Sequence, residues 1–348
     1  METVALDLIE QAKSTPSSEG NLGDLEDEEC FFQDIALLLE HGVSIEDVRR
    51  LQDAGINTIK GVQMVIPKKM LEIEGLDVKK IEKIKEACTK LSFVNGFTTA
   101  LDVDQRNQIF KLSTGSKKFD KLLYGGIESM AITEVFGEAG CGKTQLSHTL
   151  CVTAQMSGPN GYMGGKVIFI DTERTFRTDR LRSIAERFHL DGNTVLENIL
   201  CARAYTSDHQ YDLLKSVTGM LHKEAGVFKL LIVDSIIAHF RVDYYGRKEM
   251  AHRQHKLGQL MACLQKISEE YNIAVFITNQ ITSDLTNLEQ GDAQRPVGGN
   301  ILAHASTCRI SLHKDVNERR MAKVYDSPYL ASNEVLFTIT NGGIDDVD

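Results

Sequence analysis

The sequence predicts an α/β fold with a mostly parallel sheet, preceded by a small helical domain, and three observations carry that expectation. From residue 109 onward, short strand-like runs alternate with helical patterns long enough for right-handed crossovers. One of those runs passes through a glycine-rich stretch straight into a helix, as sheets that bind ligands at their strand C-termini do. Before residue 92 the apolar residues recur instead at helical spacing.

With 348 residues, 42% of them apolar, the chain exceeds one average domain. It is expected to hold a core of roughly 200 to 250 residues and something smaller. Its longest apolar runs, such as 230–233, are far too short to span a bilayer, and the first residues lack the basic start of a signal peptide. The chain therefore reads as intracellular and not membrane-bound. Seven cysteines, at 30, 88, 141, 151, 201, 263 and 308, are odd in number and never closer than ten residues. Neither a C-x2-C metal pattern nor a disulfide framework fits that spacing. Formal net charge is -10, but residues 1–29 hold nine acids against Lys13, and the other 319 residues carry only -2. The acidity belongs to a leader, so it does not argue against nucleic acid as a partner of the rest.

Residues 1–25, with Ser14-Thr15-Pro16-Ser17-Ser18-Glu19-Gly20, read as a disordered acidic leader. Residues 26–95 read as a helical domain: Ile35, Leu38 and Leu39 share a face, Ser44 caps a helix with Asp47 three residues on, and Ala54-Gly55-Ile56 ends it. Then 69–73, the turn Glu74-Gly75-Leu76-Asp77 and 78–91 have the shape of a helix-hairpin-helix. Its turn N–H groups with Lys79, Lys80, Lys83 and Lys85 would grip DNA phosphate without reading sequence, although a plain helical hairpin packed on its neighbours has the same pattern. Residues 96–111 read as a linker, in which Phe97 and Ala100 are either a loose edge of the core or an anchor for a groove on another molecule. The core, 112–348, has strand-like runs at 132–136, 167–170, 230–233, 274–278, 308–312 and 336–340. Helical patterns fall at 143–156, 180–188, 209–223 and 248–271.

The chemistry concentrates where those strands end. Gly137-Glu138-Ala139-Gly140-Cys141-Gly142-Lys143-Thr144 fits G-x-x-x-x-G-K-[ST] between strand and helix. Such a loop turns its backbone N–H groups inward around a polyphosphate, with Lys143 on the β- and γ-phosphates and Thr144 ligating Mg2+. An ordinary glycine turn is the bland alternative, and the eight-residue match in this context outweighs it. Cys141 within the loop is a liability, since oxidation or alkylation there would block nucleotide. Leu230-Leu231-Ile232-Val233-Asp234 is a buried strand ending in an acid, which places Asp234 to hold the Mg2+ water shell. Glu173, just past the run 167–171, would orient the water that attacks the γ-phosphate. The run 276–280 ends in Gln280, an amide able to sense that phosphate and signal to 281–295, a long polar segment. A loop after Asp234 is expected to carry Phe240-Arg241-Val242-Asp243-Tyr244-Tyr245-Gly246-Arg247 and then Arg253. Arginines interleaved with aromatics suit a phosphate backbone and stacked bases, while a solvated surface loop is the alternative.

From about residue 31 to 348 these residues resemble one family, the eukaryotic RecA-type strand-exchange recombinases. The resemblance rests on Leu112-Ser113-Thr114-Gly115-Ser116, Gly125-Gly126-Ile127, 136–144, Thr172-Glu173 with Thr175-Phe176-Arg177, Ala202-Arg203-Ala204-Tyr205, Gly298-Gly299, His304-Ala305-Ser306 and Tyr325-Asp326-Ser327-Pro328. Ser147-His148-Thr149-Leu150-Cys151-Val152-Thr153-Ala154-Gln155 and Phe31-Phe32-Gln33-Asp34-Ile35 are more similar to its meiosis-specific branch. The resemblance implies a RecA-like P-loop ATPase core and a nuclear, DNA-dependent ATPase. It also implies a homo-oligomer, filament or ring, that acts on single- and double-stranded DNA with ATP and Mg2+ bound between protomers, and that performs homologous pairing and strand exchange in meiotic recombination and double-strand break repair. Glu173, Lys143 and Gln280 would be catalytic. Gly137, Glu138, Ala139, Gly140, Cys141, Gly142, Lys143, Thr144 and Gln145 would hold the nucleotide, Arg180 would contact adenine, and His304 would join Gln280 in sensing the γ-phosphate. Asp292 to Pro296 would cap the neighbour's nucleotide. Arg241, Tyr244, Arg247, Arg253 and Arg320 fall at DNA-contact positions, with 282–290 as a second DNA loop. Phe97 and Ala100 would plug into a pocket around Ala202 and Ala204 of the next protomer, an anchor that recombination mediator proteins would mimic.

The chain also departs from the family. Ala139-Gly140 stands where a Phe-Arg pair is usual, Arg174 and Thr178 replace a small residue and a proline, 281–295 is slightly short, and Asp315-Val316-Asn317 replaces a Gly/Arg-rich turn. Two other functions share the core: a non-catalytic family member acting as an ATP-binding adaptor or filament cap, and a ring-forming helicase.

Overall fold

The structure is a computed structural model that describes residues 33–91, 97–106, 108–159, 162–283, 294–315 and 318–347. The acidic leader, Asn95-Gly96, Asp292, Val316-Asn317 and all but the start of the expected second DNA loop lie outside those residues. The chain divides into two compact units, Met1–Gln108 with Thr218–Ala225, and Ile109–Val217 with Gly226–Asp348.

In the first unit a 3-10 turn at Ile35–His41 leads to helices α1 (Ile45–Asp53), α2 (Ile59–Gln63), α3 (Pro67–Met70) and α4 (Val78–Leu91). Ser44 caps α1 as expected, its hydroxyl accepting the Asp47 N–H at 3.1 Å. Ile35, Leu38, Leu51, Ile59, Val62, Met70, Ile81 and Ile84 form its core. The hairpin between α3 and α4 turns at Gly75, yet two of its four lysines are spent inside the unit. Lys80 donates to Asp47 and to the Gly75 carbonyl, both at 2.9 Å, and Lys85 to the carbonyls of Val62 at 2.6 Å and Val65 at 2.7 Å. Only Lys79 and Lys83 of the expected phosphate-gripping set stand exposed, because the other two satisfy carbonyls and a carboxylate that the short helices leave open.

The second unit is built on a nine-stranded sheet. Its strands are β1 (Ile132–Gly137), β2 (Lys166–Asp171), β3 (Ile199–Arg203), β4 (Phe228–Asp234), β5 (Ala274–Asn279), β6 (Cys308–Lys314), β7 (Arg320–Asp326), β8 (Glu334–Thr340) and β9 (Gly343–Asp346). They lie in the order β9-β8-β7-β6-β1-β5-β4-β2-β3. From β6 to β3 all neighbours are parallel, and β6 to β9 continue as an antiparallel meander. Besides short helices at Lys117–Leu122 and Gly192–Glu197, the helices are α5 (Lys143–Thr153), α6 (Thr178–Arg187), α7 (Ser207–Lys223, whose end from Thr218 belongs to the first unit), α8 (Ala238–Asp243), α9 (Met250–Tyr271) and α10 (Gly299–Ala305). β1 and β5 are buried at every position, which is why they read as continuous apolar runs.

Three strands escape the sequence reading for the opposite reason. β3 sits at the sheet edge, where Leu200 and Cys201 are exposed, and β7 and β9 belong to the antiparallel extension with one face toward solvent, so none carries a strong apolar signature. The segment expected as a loop after Asp234 is partly helical: α8 forms there because Phe240, 2% exposed, is drawn into the core.

Candidate active site

The parallel register brings the functional strand ends level with one another. Phe136 lies opposite Asn279, Val233 opposite Ile277, and Asp171 opposite Asp234. The loop past β1 needs glycine at 137, because a Cβ there would come within 2.2 Å of the Leu312 carbonyl oxygen and 2.8 Å of Cys141 Sγ. Gly142 precedes α5 and offers no side-chain cap, which leaves the first N–H groups of the helix for an anion. Lys143 folds back on its own loop, its ammonium donating to the carbonyls of Gly137 and Glu138, both at 2.8 Å. A phosphate in this loop would have to win the ammonium from these two carbonyls. Cys141 is buried, and burial pushes its thiol up despite the neighbouring Lys143, so the liability expected of a loop thiol is small. Where a side chain at Gly140 would project, the Lys314 ammonium already lies, 3.1 Å from the position of the missing Cβ.

Asp234 and Thr144, the two expected metal residues, lie close together. Asp234 Oδ1 accepts from the Thr278 hydroxyl, and the Thr144 hydroxyl is near enough to favour the charged carboxylate. Oδ2 is buried without a hydrogen-bond partner. Desolvation pushes the Asp234 carboxyl up to about 6, with Glu173 and Asp171 adding repulsion that the hydroxyl bonds only partly offset. A buried carboxylate oxygen lacking a partner, beside a hydroxyl in the first turn of the phosphate helix, is a donor set that suits Mg2+. Among the described residues no group of three or more His, Cys, Asp and Glu could hold a metal ion. The remaining ligands would thus be phosphate and water.

Glu173 stands on a turn clamped from three sides by residues to which the sequence reading gave no role in the site. Asp171 accepts the N–H groups of Glu173 at 3.1 Å, Thr175 at 3.2 Å and Phe176 at 3.4 Å. The Thr172 hydroxyl donates to the Ser235 carbonyl at 2.9 Å and accepts its N–H at 2.7 Å. His148 on α5 is bonded to the Thr144 carbonyl through Nδ1 at 2.8 Å and accepts the Arg177 N–H on Nε2 at 3.1 Å. Burial lowers this imidazole to about 4, so it stays neutral, and its two partners fix the proton on Nδ1. The carboxylate itself is gripped at one oxygen: Glu173 Oε1 accepts from Ser235 Oγ at 2.8 Å and from Gln280 Nε2 at 2.6 Å. Gln280 Oε1 in turn accepts from Arg241 Nη1 at 2.6 Å.

Gln280 is positioned from beneath by a buried polar network. Asn279 donates to Glu134 Oε1 and to the Val297 carbonyl, both at 2.7 Å, and accepts the Gln280 N–H at 2.7 Å. The second oxygen of Glu134 accepts from Arg309 at 2.6 Å, with both side chains almost fully buried. A glutamate inside the apolar strand β1 was the one sequence signal that a buried cation had to face it.

Elsewhere, Arg180 donates to Gln145 Oε1 at 2.7 Å and to the Thr340 and Asn341 carbonyls. Pro296 pairs with Ile281 in a two-stranded ladder, and the Val297 N–H bonds the Gln280 carbonyl at 2.9 Å, so the described end of the expected cap is tied to Gln280. Arg241 is exposed on α8, and Tyr244 packs between Phe240 and His252 at centroid distances of 6.1 and 5.2 Å. Arg247 opens a 3-10 turn, Arg253 is half-buried on α9, and Arg320 opens β7 with its guanidinium on the Glu318 carbonyl. Among the described residues His304, exposed on α10, takes no part in the Glu173–Gln280–Arg241 chain, nor do Arg253 and Arg320. Phe97 is wholly exposed and Ala100, where the short helix Ala100–Arg106 begins, is exposed, whereas Ala202 is half-buried and Ala204 buried.

The sequence matches the family model described as Rad51 over residues 105–347. It is 59% identical over 324 residues to the mouse (Mus musculus) Meiotic recombination protein DMC1/LIM15 homolog, covering 92% of this chain and 95% of that protein. The Homo sapiens protein of the same description is 58% identical over the same shares. The Meiotic recombination protein DMC1 homolog A of Oryza sativa subsp. japonica is 49% identical over 323 residues, 92% of this chain and 93% of that protein.

Proposed function

This chain belongs to the Rad51 family, and we propose on that premise how its own residues make it a meiotic strand-exchange recombinase. It is a DNA-dependent ATPase of the RecA type that assembles on DNA as an oligomeric filament. What most supports the assignment of roles is the approach of Thr144 to Asp234, and the hydrogen bond of Gln280 to Glu173, across the C-terminal ends of parallel strands that lie one strand apart in the sheet.

ATP would lie in the loop 137–145, with the Lys143 ammonium leaving the Gly137 and Glu138 carbonyls for the β- and γ-phosphates and Arg180 at the adenine. Mg2+ held by Thr144 and Asp234 would neutralise phosphate charge. Glu173 orients a water for in-line attack on the γ-phosphorus: the new P–O bond forms as the bond to the bridging oxygen breaks, which yields ADP and phosphate. Gln280 and His304 sense the γ-phosphate, and Asp292 to Pro296 cap the nucleotide of the neighbouring protomer. Arg241, Tyr244, Arg247, Arg253 and Arg320 contact the DNA backbone and bases, with Lys79 and Lys83 left for secondary capture of duplex. Pairing is driven by filament and DNA binding energy, and base pairing supplies the sequence test. Phe97 and Ala100 join protomers at Ala202 and Ala204, and loading or disassembling partners would compete for that joint. Action on chromosomal DNA places the protein in the nucleus.

Electron microscopy with single-stranded DNA and a non-hydrolysable ATP analogue should show helical filaments, and turnover of ATP should rise with DNA. Glu173→Gln should keep the filaments and abolish that turnover. An assembly that forms but never hydrolyses ATP would make the protein an adaptor, and closed rings that unwind duplex would make it a helicase.

A further inference from the structure

Two of the groups read as catalytic and one read as a DNA contact are joined in a single hydrogen-bonded line. Arg241 Nη1 donates to Gln280 Oε1 at 2.6 Å, Gln280 Nε2 donates to Glu173 Oε1 at 2.6 Å, and Ser235 Oγ donates to that same oxygen at 2.8 Å. They come from three elements distant in sequence: α8, the residue after β5 and the turn after β2.

We propose that Arg241 is a positioning residue of the hydrolytic site: without DNA it holds the Gln280 amide across Glu173, and a DNA phosphate that draws its guanidinium away frees the carboxylate for the attacking water. The inference rests on the assignment of Glu173 to hydrolysis made above. Its physical basis is the one-way chemistry of the three groups. A guanidinium has donors only and an ionised carboxylate acceptors only, so an amide between them has one orientation that satisfies both. Arg241 takes the amide oxygen, and the amide N–H2 is thereby directed at Glu173. With Ser235 already on Glu173 Oε1, the second donor fills the two lone pairs of that oxygen. Water then has no acceptor on the side of Glu173 that the line covers.

Arg241 is exposed on α8, where a nucleic-acid phosphate can reach it. The bond to the amide oxygen carries charge on the donor alone, whereas a phosphate adds an opposite charge and a second oxygen that a guanidinium can take bidentately. Phosphate therefore wins the guanidinium. Gln280, released at one end, loses the constraint on its orientation and can turn to the nucleotide. Val297 follows that turn, because its N–H is bonded to the Gln280 carbonyl at 2.9 Å.

The test is ATP turnover of the full chain at saturating ATP without DNA, for the wild type, Arg241→Ala, Arg241→Met, Arg241→Lys and Glu173→Gln. Binding of a fluorescent ATP analogue and the melting temperature are measured on the same samples. Arg241→Ala and Arg241→Met, the second of which keeps the aliphatic stem, should raise DNA-free turnover roughly tenfold, the effect of one charge-assisted hydrogen bond on a barrier. Arg241→Lys, with one donor still able to hold Gln280, should fall between them and the wild type. The DNA-free rate decides the matter because it does not depend on how well each variant binds DNA. Unchanged or lower turnover in both Ala and Met variants, with ATP binding and melting temperature intact, overturns the latch. Wild-type turnover in Glu173→Gln would instead remove the hydrolytic reading on which it stands.

Discussion

At Lys143 one ammonium is held by the carbonyls of its own loop, from which the phosphates of a bound nucleotide would have to draw it. Lys143→Ala should abolish ATP binding. Lys143→Arg should bind but turn over slowly, since a planar fork cannot reproduce the compact charge between those carbonyls. Equilibrium binding of a fluorescent ATP analogue separates the two, and unaltered turnover in both would remove the loop assignment. Asp234 makes a second prediction at this scale. Its carboxyl is raised from 3.8 to about 6, so between those values the folded protein binds more protons than the unfolded chain. Stability from this group is greatest in acid and falls as pH rises through about 6, by about 3 kcal/mol once the carboxylate is fully charged. Asp234→Asn removes that titration. In nucleotide-free protein, the gap in denaturation free energy between the Asp234→Asn variant and the wild type should widen from pH 4.5 to pH 7.5 in the variant's favour, an interval chosen from about 1.5 units either side of that value. A gap independent of pH would sink the reading.

At the scale of elements, the site is held by polar groups that tie strand to strand. Glu134 on β1, Asn279 at the end of β5 and Arg309 on β6 form one buried network beneath Gln280. Breaking a buried ion pair by removing one partner costs about 3 to 5 kcal/mol, because the survivor is left charged and dry. Arg309→Met should therefore lower stability by about that amount. The double variant Arg309→Met with Glu134→Gln should recover much of it, since a glutamine carbonyl can still accept from Asn279 without leaving a charge. Chemical denaturation of the three proteins checks this; equal losses in single and double variants would show that packing at position 309 dominates. The hairpin of the first unit teaches the converse. Its lysines look alike in sequence, but Lys80 and Lys85 close open backbone carbonyls and only Lys79 and Lys83 remain for a partner.

For the whole molecule, the proposed joint is Phe97, which is wholly exposed and has Leu101 and Val103 exposed beyond it. A phenyl ring left in water gains about 1.5 to 3 kcal/mol on full burial, or roughly ten- to a hundredfold in association at each joint. Phe97→Glu replaces that gain with a desolvation cost. The variant should stay folded, bind ATP and sediment as a monomer, and a peptide carrying Gly-Phe-Thr-Thr-Ala should compete with wild-type assembly. Oligomers of Phe97→Glu at wild-type concentrations, or an unfolded variant, would return Phe97 to its own protomer's core.

The sequence by itself determined the α/β class, where most of the buried strands lie along the chain and the phosphate loop, because those features are local: a continuous apolar run and, just past it, glycines, a lysine and a threonine at fixed offsets. It also placed Asp234, Glu173 and Gln280 at strand ends, where a parallel sheet gathers ligands. Only the tertiary structure decided what those side chains touch. That Arg241 lies on Gln280 and Gln280 on Glu173, that His148 straps the Glu173 turn to the phosphate helix, and that Arg309 answers Glu134 all depend on residues from 29 to 175 positions apart. Periodicity and propensity act over a few residues, whereas a buried donor finds its acceptor through the register of the sheet. For the same reason the edge strand β3 and the helix α8, whose formation depends on what packs against them, were invisible until the chain was folded.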